Sequence, residues 1–379
     1  MTTLLTGATG FLGRHVLWDL LRRDATETVH CLMRPSRRAT PERRLDQLLG
    51  PAGGNLSPEA RARCHAVTGD ITDDVLIADS ADRARLIGEV DRVIHCAATV
   101  MLDTPLTDAR RINVGGTQNV LRFATDAQTH GDLRRVDHFS TAFVAGKAAG
   151  VAREDELVPG GFNNTYERTK WESEQIVREL QQDLPISIFR PSIIVGDSRT
   201  GYTSNFRVLY WPLKVLSTGL AVVVPLDADG IVDLVPIDHV VDTFGALTGT
   251  DASLGRCYHL AAGPKGQSTC GELLDTATKF FDVRRPFLIS PRISYRIVRP
   301  LLYATIWGRR RPLLRQSEQF FPYFASKVSF DTANLEADLA GHDIVRPAVD
   351  EYFHTILQYC VDTNWGTKRN PRSPSPDDV

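Results

Sequence analysis

In the stretch FNNTYERTKWESEQIVREL, residues 162–180, a tyrosine and a lysine, Tyr166 and Lys170, stand one helical turn apart. A phenol with its ordinary pKa of about 10 is protonated at neutral pH and needs a partner to work as an acid or base. A lysine ammonium beside it would favour the phenolate and make the tyrosine a proton carrier. The spacing alone is weak, because i,i+4 pairs are common on helix surfaces. Its meaning depends on what the rest of the chain supplies.

HFSTAFVAG, residues 138–146, ends a strand-like apolar run and offers two hydroxyls, Ser140 and Thr141. In open α/β folds ligands bind at the carboxyl edge of the sheet. A hydroxyl there can hydrogen-bond a carbonyl while Tyr166 protonates its oxygen as a hydride arrives. Lys170 can then hold a nicotinamide ribose. Asn113, in RRINVGGTQNVLRFA, lies inside a long helical stretch where Asn is a poor helix former. A supporting polar role and a cap or kink are both open for it.

A hydride needs a carrier, and LLTGATGFLGRHVL provides its cradle with Gly7, Gly10 and Gly13 between a strand and a helix. Gly7 permits a tight turn, Gly10 lets the backbone approach a diphosphate, and Gly13 lets the helix pack close to the strand. Thr9, Phe11 and Leu12 belong to the same loop, and the helix N-terminus faces the diphosphate charge. At the end of the second strand, CLMRPSRR places Arg34 with no acid beside it. A guanidinium there suits the 2′-phosphate of NADPH, where an acid would suit NAD. In TGDIT, Asp70 and Ile71 fall where the adenine would lie, although an N-cap reading of Asp70 is nearly as good. HCAA puts Ala97 where a sheet edge would line the cofactor.

These residues need a sheet to position them. TLLTG, TVHCLMR, CHAVTGD, DRVIHCAA, RRVDHFSTAFV and PISIFRPS read as six strands. FLGRHVLWDLLRR, one long helix over 104–128 and the Tyr166–Leu180 stretch lie among them. The alternation predicts a Rossmann-type, doubly wound parallel α/β sheet over residues 1–195. A smaller, mostly helical substrate region is expected over 196–365, with segments near 231–262 returning to the core. Helices are expected at 268–283, 293–307 and 348–361. The polar tail 366–379 reads as disordered.

Composition excludes other classes. The chain of 379 residues carries a formal net charge of −2, against the strong basicity of a nucleic-acid binder. Its six cysteines are scattered, which argues for reduced thiols, no metal site and a cytoplasmic protein. No signal peptide is read at the start, and no apolar run of about 18 residues spans a membrane. ISYRIVRPLLYATIWGRRRPLLR, residues 293–315, suits a helix lying on a membrane surface and equally a packed helix with solvated arginines.

Taken together, the glycine loop, GDIT, HCAA, NVGGTQNVL, FSTAFVAG, YERTK and FRPSIIVGD resemble the extended short-chain dehydrogenase/reductase superfamily over roughly residues 2–262. The resemblance implies catalytic roles for Thr141, Tyr166 and Lys170, with Asn113 in support. It also implies cofactor contacts from Lys170, Pro191 and Ser192. Many relatives have Tyr where Phe143 stands, so one hydroxyl is lost there. Within the superfamily the chain is most similar to the fatty acyl-CoA reductases and the thioester-reductase domains of carboxylic acid reductases. RRLDQLL then makes Arg44 a second phosphate contact, and Trp171, Tyr202, Phe206, Tyr210 and Trp211 are candidate neighbours of an acyl pocket.

The expected activity is NADPH-dependent reduction of an acyl thioester, carried by CoA or a carrier protein, to an aldehyde or onward to an alcohol. Two alternatives stand beside it. One is a dehydrogenase, reductase or epimerase of a secondary alcohol or ketone; the other is a cofactor-sensing protein without turnover. A homodimer and a peripheral membrane contact are left open.

Overall fold

Short, largely apolar runs, with a few buried charged residues such as Arg92 and Asp137 among them, become strands buried on both faces, as a parallel sheet requires. In Thr2–Thr6 (β1), Leu4 and Leu5 are both fully buried because they point to opposite faces. Leu5 joins an apolar layer with Val16, Leu17 and Phe244, whereas Leu4 joins another with Leu86, Val120 and Phe123. The computed structural model describes residues 1–50, 56–158, 160–206, 208–291 and 320–368.

The further strands of this sheet are Thr28–Met33 (β2), Cys64–Thr68 (β3), Arg92–His95 (β4), Arg135–Phe139 (β5), Ile186–Pro191 (β6) and Cys257–Leu260 (β7). They run parallel in the order β7-β6-β5-β4-β1-β2-β3. The order reverses between β1 and β4, where Thr6 pairs with Leu32 on one side and His95 on the other. That reversal opens the crevice in which a doubly wound sheet binds its ligand. Helices Phe11–Arg23 (α1), Pro41–Leu49 (α2), Ser80–Glu89 (α3), Gly116–His130 (α4) and Thr165–Leu180 (α5) provide most of the crossovers.

β7 was not among the six expected strands. Its four residues, CYHL, fall after the alternating rhythm has ended and are too few to show a period. The fifth strand is shorter than expected: it stops at Phe139, and Ala142–Ala145 form a 3-10 turn. The stretch expected to be one helix over 104–128 is helical but not uniform. An α-turn at Leu106–Ala109 opens into a π-turn at Arg110–Gly115 before α4 begins. Asn113 lies in the π-turn, a break in the regular helix of the kind the kink reading describes.

Beyond β6 a second core gathers around Tyr210–Ser217 (α6), Cys270–Phe281 (α8) and Val349–Asp362 (α9). Between them Ile237–Thr248 (α7) returns to pack on the main sheet through Val240 and Phe244. Short parallel pairs tie this region down: Leu234–Pro236 with Ile193–Val195, and Val328–Phe330 with Gly150–Ala152. The expected helix at 293–307, and the whole 293–315 stretch, lie outside the described residues. Of the polar tail, Lys368 N–H still bonds to Thr363 O at the end of α9, and 369–379 lie outside the described residues. All six cysteines are free. Among the described residues, no helix is long and apolar enough to cross a membrane.

Candidate active site

The glycine loop is set by space as well as by turn geometry. Gly7 adopts φ +78°, and a Cβ there would meet Ala97 N at 2.6 Å. A Cβ on Gly13 would collide with the Gly7 carbonyl. Gly10 has more room, with its nearest neighbour, Gly7 O, at 3.2 Å. The loop opens on a cavity of about 450 Å³ at the crevice between β1 and β4. Of the expected cofactor residues, Gly7, Thr9, Gly10, Arg34, Arg44, Asp70, Ile71 and Ala97 line it. Phe11, Leu12 and Gly13 do not; they belong to the first turn of α1, with Phe11 edge-on to His15 at 5.0 Å.

Two details of this cavity differ from expectation. An acid does stand near Arg34: Asp70 Oδ2 lies 3.9 Å from its Nη1, brought there by the neighbouring strand β3. Asp70 also accepts from Thr72 N–H at 2.9 Å, which closes a turn; it caps no helix, because the next one, α3, begins behind Asp79. Arg44, on α2, donates to Arg34 O at 2.8 Å and keeps the two guanidinium groups at one end of the cavity.

At the carboxyl end of β5 the two hydroxyls separate. Ser140 donates to Glu174 Oε2 at 2.6 Å and is locked into a buried network. Thr141 turns the other way, where it caps the 3-10 turn by accepting from Phe143 N–H at 3.3 Å. Its hydroxyl also donates to Pro191 O at 3.4 Å and interacts with the Tyr166 phenol. Helix α5 begins at Asn164, whose side chain accepts from Glu167 N–H at 2.9 Å. That cap places Tyr166 in the first turn and Lys170 in the second. Lys170 is buried and donates its ammonium to Phe139 O at 2.8 Å.

The electrostatics run against the simple expectation for the pair. Burial pushes the Tyr166 phenol up to about 12, the Thr141 hydroxyl opposes this, and the Glu167 charge adds to it. Lys170 is not among the groups that hold the phenol down; its ammonium is turned to Phe139 O, and its charge falls on His95 and His138. Burial lowers Lys170 to about 8, although Glu174 pulls the other way. Tyr166 is therefore a protonated phenol, suited to donating a proton rather than to resting as a phenolate.

Asn113 supports the constellation from behind. Its side chain accepts from Thr99 N–H at 2.8 Å and donates to Thr99 O at 3.1 Å and Thr169 Oγ1 at 2.9 Å. It thus links the loop after β4 to α5 without facing either cavity. Ser192 is buried beside Asp233, whose carboxylate accepts from Ala262 and Gly263 N–H at 2.8 and 2.9 Å. Pro191 is placed next to Thr141 through its carbonyl.

A second cavity, about 460 Å³ and mostly apolar, is lined by Phe143, Tyr323, Leu213, Val223, Leu273 and Phe324, among others. Of the aromatic residues expected there, only Trp211 lines it. Trp171 packs on Phe162, Tyr202 on His15 and Tyr359, and Phe206 on Tyr210, and none of these four lines the cavity. Tyr323 and Glu167 are site residues that sequence reasoning missed. Glu167 could have been found from its place three residues after an N-cap Asn; Tyr323 carried no signal.

The sequence pattern of the Male sterility protein family matches residues 5–244. The chain belongs to that family. Family members with reductase names are similar to it: a fatty acyl-CoA reductase of Drosophila melanogaster is 29% identical over 63% of this chain, and fatty acyl-CoA reductase 1 of Rattus norvegicus is 28% identical over 63%. This chain spans only about half of each, 52% and 53%. Among solved structures, the terminal R domain of the myxalamid biosynthetic pathway superposes with a TM-score of 0.79 at 26% identity, covering 97% of this chain and 92% of that one. A reductase domain of a Mycobacterium tuberculosis nonribosomal peptide synthetase shares the fold, with a TM-score of 0.70 at 23% identity. The family match and the shared fold place the chain in the extended short-chain dehydrogenase/reductase superfamily.

Proposed function

We propose that the protein is an NADPH-dependent reductase of acyl thioesters. The observation that carries this reading is the apolar cavity lined by Phe143, two residues along the chain from Thr141, and separate from the cavity of the glycine loop. Such a cavity suits a long hydrocarbon and offers little to a sugar nucleotide, whose hydroxyls would be left unpaired against its walls. Fatty acyl-CoA reductases and reductase domains of peptide synthetases, by their names, act on thioesters or carrier-borne chains, which agrees with the shape.

In this mechanism the residues lining the first cavity would hold the cofactor: Gly7, Thr9 and Gly10 of the glycine loop would face the diphosphate, and Arg34 and Arg44 would take the 2′-phosphate. The cofactor supplies the hydride. Thr141 hydrogen-bonds the substrate carbonyl, and Tyr166 donates a proton to its oxygen as negative charge develops there. Lys170 and Asn113 hold the end of β5 and the first turns of α5 in register. The tetrahedral product of a thioester then expels the thiol and leaves an aldehyde, and a second round would give the alcohol. Residues 1–195 serve the cofactor and residues 196–365 the acyl chain, with 231–262 shared between them.

Absorbance near 340 nm with a series of acyl-CoAs tests the reading. NADPH should be consumed with chains of intermediate to long length and NADH far more slowly. Alanine at both Arg34 and Arg44 should erase that preference by raising KM for NADPH about a hundredfold. Turnover of a secondary alcohol, with none of any thioester, would overturn it.

A further inference from the structure

Tyr323 arrives from the far end of the chain, on the 3-10 turn Phe321–Ala325, yet it meets the catalytic helix. Its hydroxyl donates to Glu167 Oε1 at 2.7 Å and accepts from Asn164 Nδ2 at 2.8 Å. Its ring stands edge-on to Phe143 at 5.1 Å and forms part of the apolar cavity wall. Glu167 directly follows Tyr166 and is fully buried. Among the described residues it has no cation in ion-pair range. Its carboxylate accepts instead from Asn163 N–H at 2.8 Å and from the Asn163 and Asn164 amides at 3.3 Å each.

We propose that Tyr323 is a positioning residue for the proton donor: its hydroxyl holds the Glu167 carboxylate that braces the Asn163–Asn164 cap of the helix carrying Tyr166, and its ring is a wall the acyl chain meets in the apolar cavity. This rests on reading Tyr166 as the donor to a thioester-derived oxyanion. One side chain then sets both the seat of the chain and the alignment of the phenol, and it restores a phenol beside position 143, where Phe143 has none.

The chemistry of the buried carboxylate explains why the hydroxyl matters. Burial raises Glu167 above the usual carboxylate range, and the donors from Asn163, Tyr323 and Asn164 work against that rise. The titratable groups facing it are Tyr166 on its own helix and Tyr323 from the 3-10 turn; Lys170, one turn on, is spent on Phe139 O. A protonated Glu167 could not accept all these bonds at once. The cap would slacken, and Tyr166 would lose its fixed place in the first turn.

Tyr323→Phe in the full chain keeps the ring and removes only the hydroxyl. With NADPH and hexadecanoyl-CoA, kcat should fall about tenfold while KM and the NADPH dissociation constant stay within about twofold. The ¹³C carboxyl signal of Glu167, assigned as the one missing from Glu167→Gln, should titrate about one pH unit higher in Tyr323→Phe. Tyr323→Phe added to Glu167→Gln should cost nothing more than Glu167→Gln alone. A packing role predicts no movement of the carboxyl midpoint. An unmoved midpoint overturns the proposal whether or not that thioester is turned over, and so do losses that multiply independently. Tyr166→Phe separates the two readings. Full activity there sinks the donor assignment itself, whereas an inactive Tyr166→Phe beside a Tyr323→Phe unchanged in rate and midpoint sinks only the role given to Tyr323.

Discussion

Replacing Lys170 by Met should make the stability of the protein less dependent on alkaline pH. Burial takes this lysine from its ordinary 10.5 to about 8. A displacement of that size corresponds to about 3 kcal/mol of cost for keeping the ammonium inside the fold. The sign follows from proton counting. Below pH 8 the lysine is charged in both states and the cost is fully present. Between pH 8 and 10.5 the unfolded chain binds a proton that the folded chain has released, so stability rises with pH. By about pH 9.5, some 2 kcal/mol of the cost should be gone. Urea unfolding of wild type and Lys170→Met at about pH 7 and pH 9.5 measures it. The difference, wild type minus variant, cancels the other titrating groups and should grow by about 2 kcal/mol in favour of wild type. Met also leaves Phe139 O without its donor, but that loss is the same at both pH values. A difference that stays constant, or shrinks, would refute the picture of a charge held at a cost for function.

Two further outcomes are expected. Gly13→Ala forces a Cβ into the Gly7 carbonyl, so it should lower Tm by several degrees and weaken NADPH binding at least tenfold, read by calorimetry on the same sample. Glu174→Gln breaks a fully buried pair with Arg190 and should cost about 3–5 kcal/mol in urea unfolding. Burial opposes the ionised form of Glu174, but Arg190 prevails and holds it at about 2. Its contribution to wild-type stability is therefore complete above about pH 4.5 and lost as pH falls toward 2, and the variant should lack that acid-side loss.

Elements whose residues repeat a period were legible in the sequence. β1, β2, β4 and α1 declared themselves because continuous apolar runs and helical spacing follow directly from burial on both faces or on one. The glycine loop was legible because only glycine fits at Gly7 and Gly13, so residue type reports geometry. Contacts made across the chain were not. Asp70 reaches Arg34 only because β3 lies beside β2, and no spacing between residues 34 and 70 encodes that neighbourhood. Tyr323 and Glu167 are 156 positions apart. Four of the five aromatic residues assigned to the acyl pocket do not line it, for a related reason: composition tells that a ring will pack, but not whether it faces a cavity or a neighbouring ring.

The choice between Ser140 and Thr141 shows how a buried charge can sharpen a site. Both hydroxyls stand at the same sheet edge, and either could face a substrate. Arg190 bonds Glu174 through both Nε and Nη2, and Arg178 adds a third charged contact from α5 itself. Even so, one carboxylate oxygen, Oε2, retains accepting capacity, and Ser140 fills it at 2.6 Å. In a buried network an unmet acceptor is costly, so the serine is held there and cannot turn to the crevice. Thr141 is left as the hydroxyl that meets Tyr166. The ion pair thus does more than brace β6 against α5: by holding Ser140 it leaves Thr141, which bonds Pro191 O and Phe143 N–H, as the hydroxyl beside Tyr166. Glu174→Gln should therefore free Ser140 as well as weaken the fold.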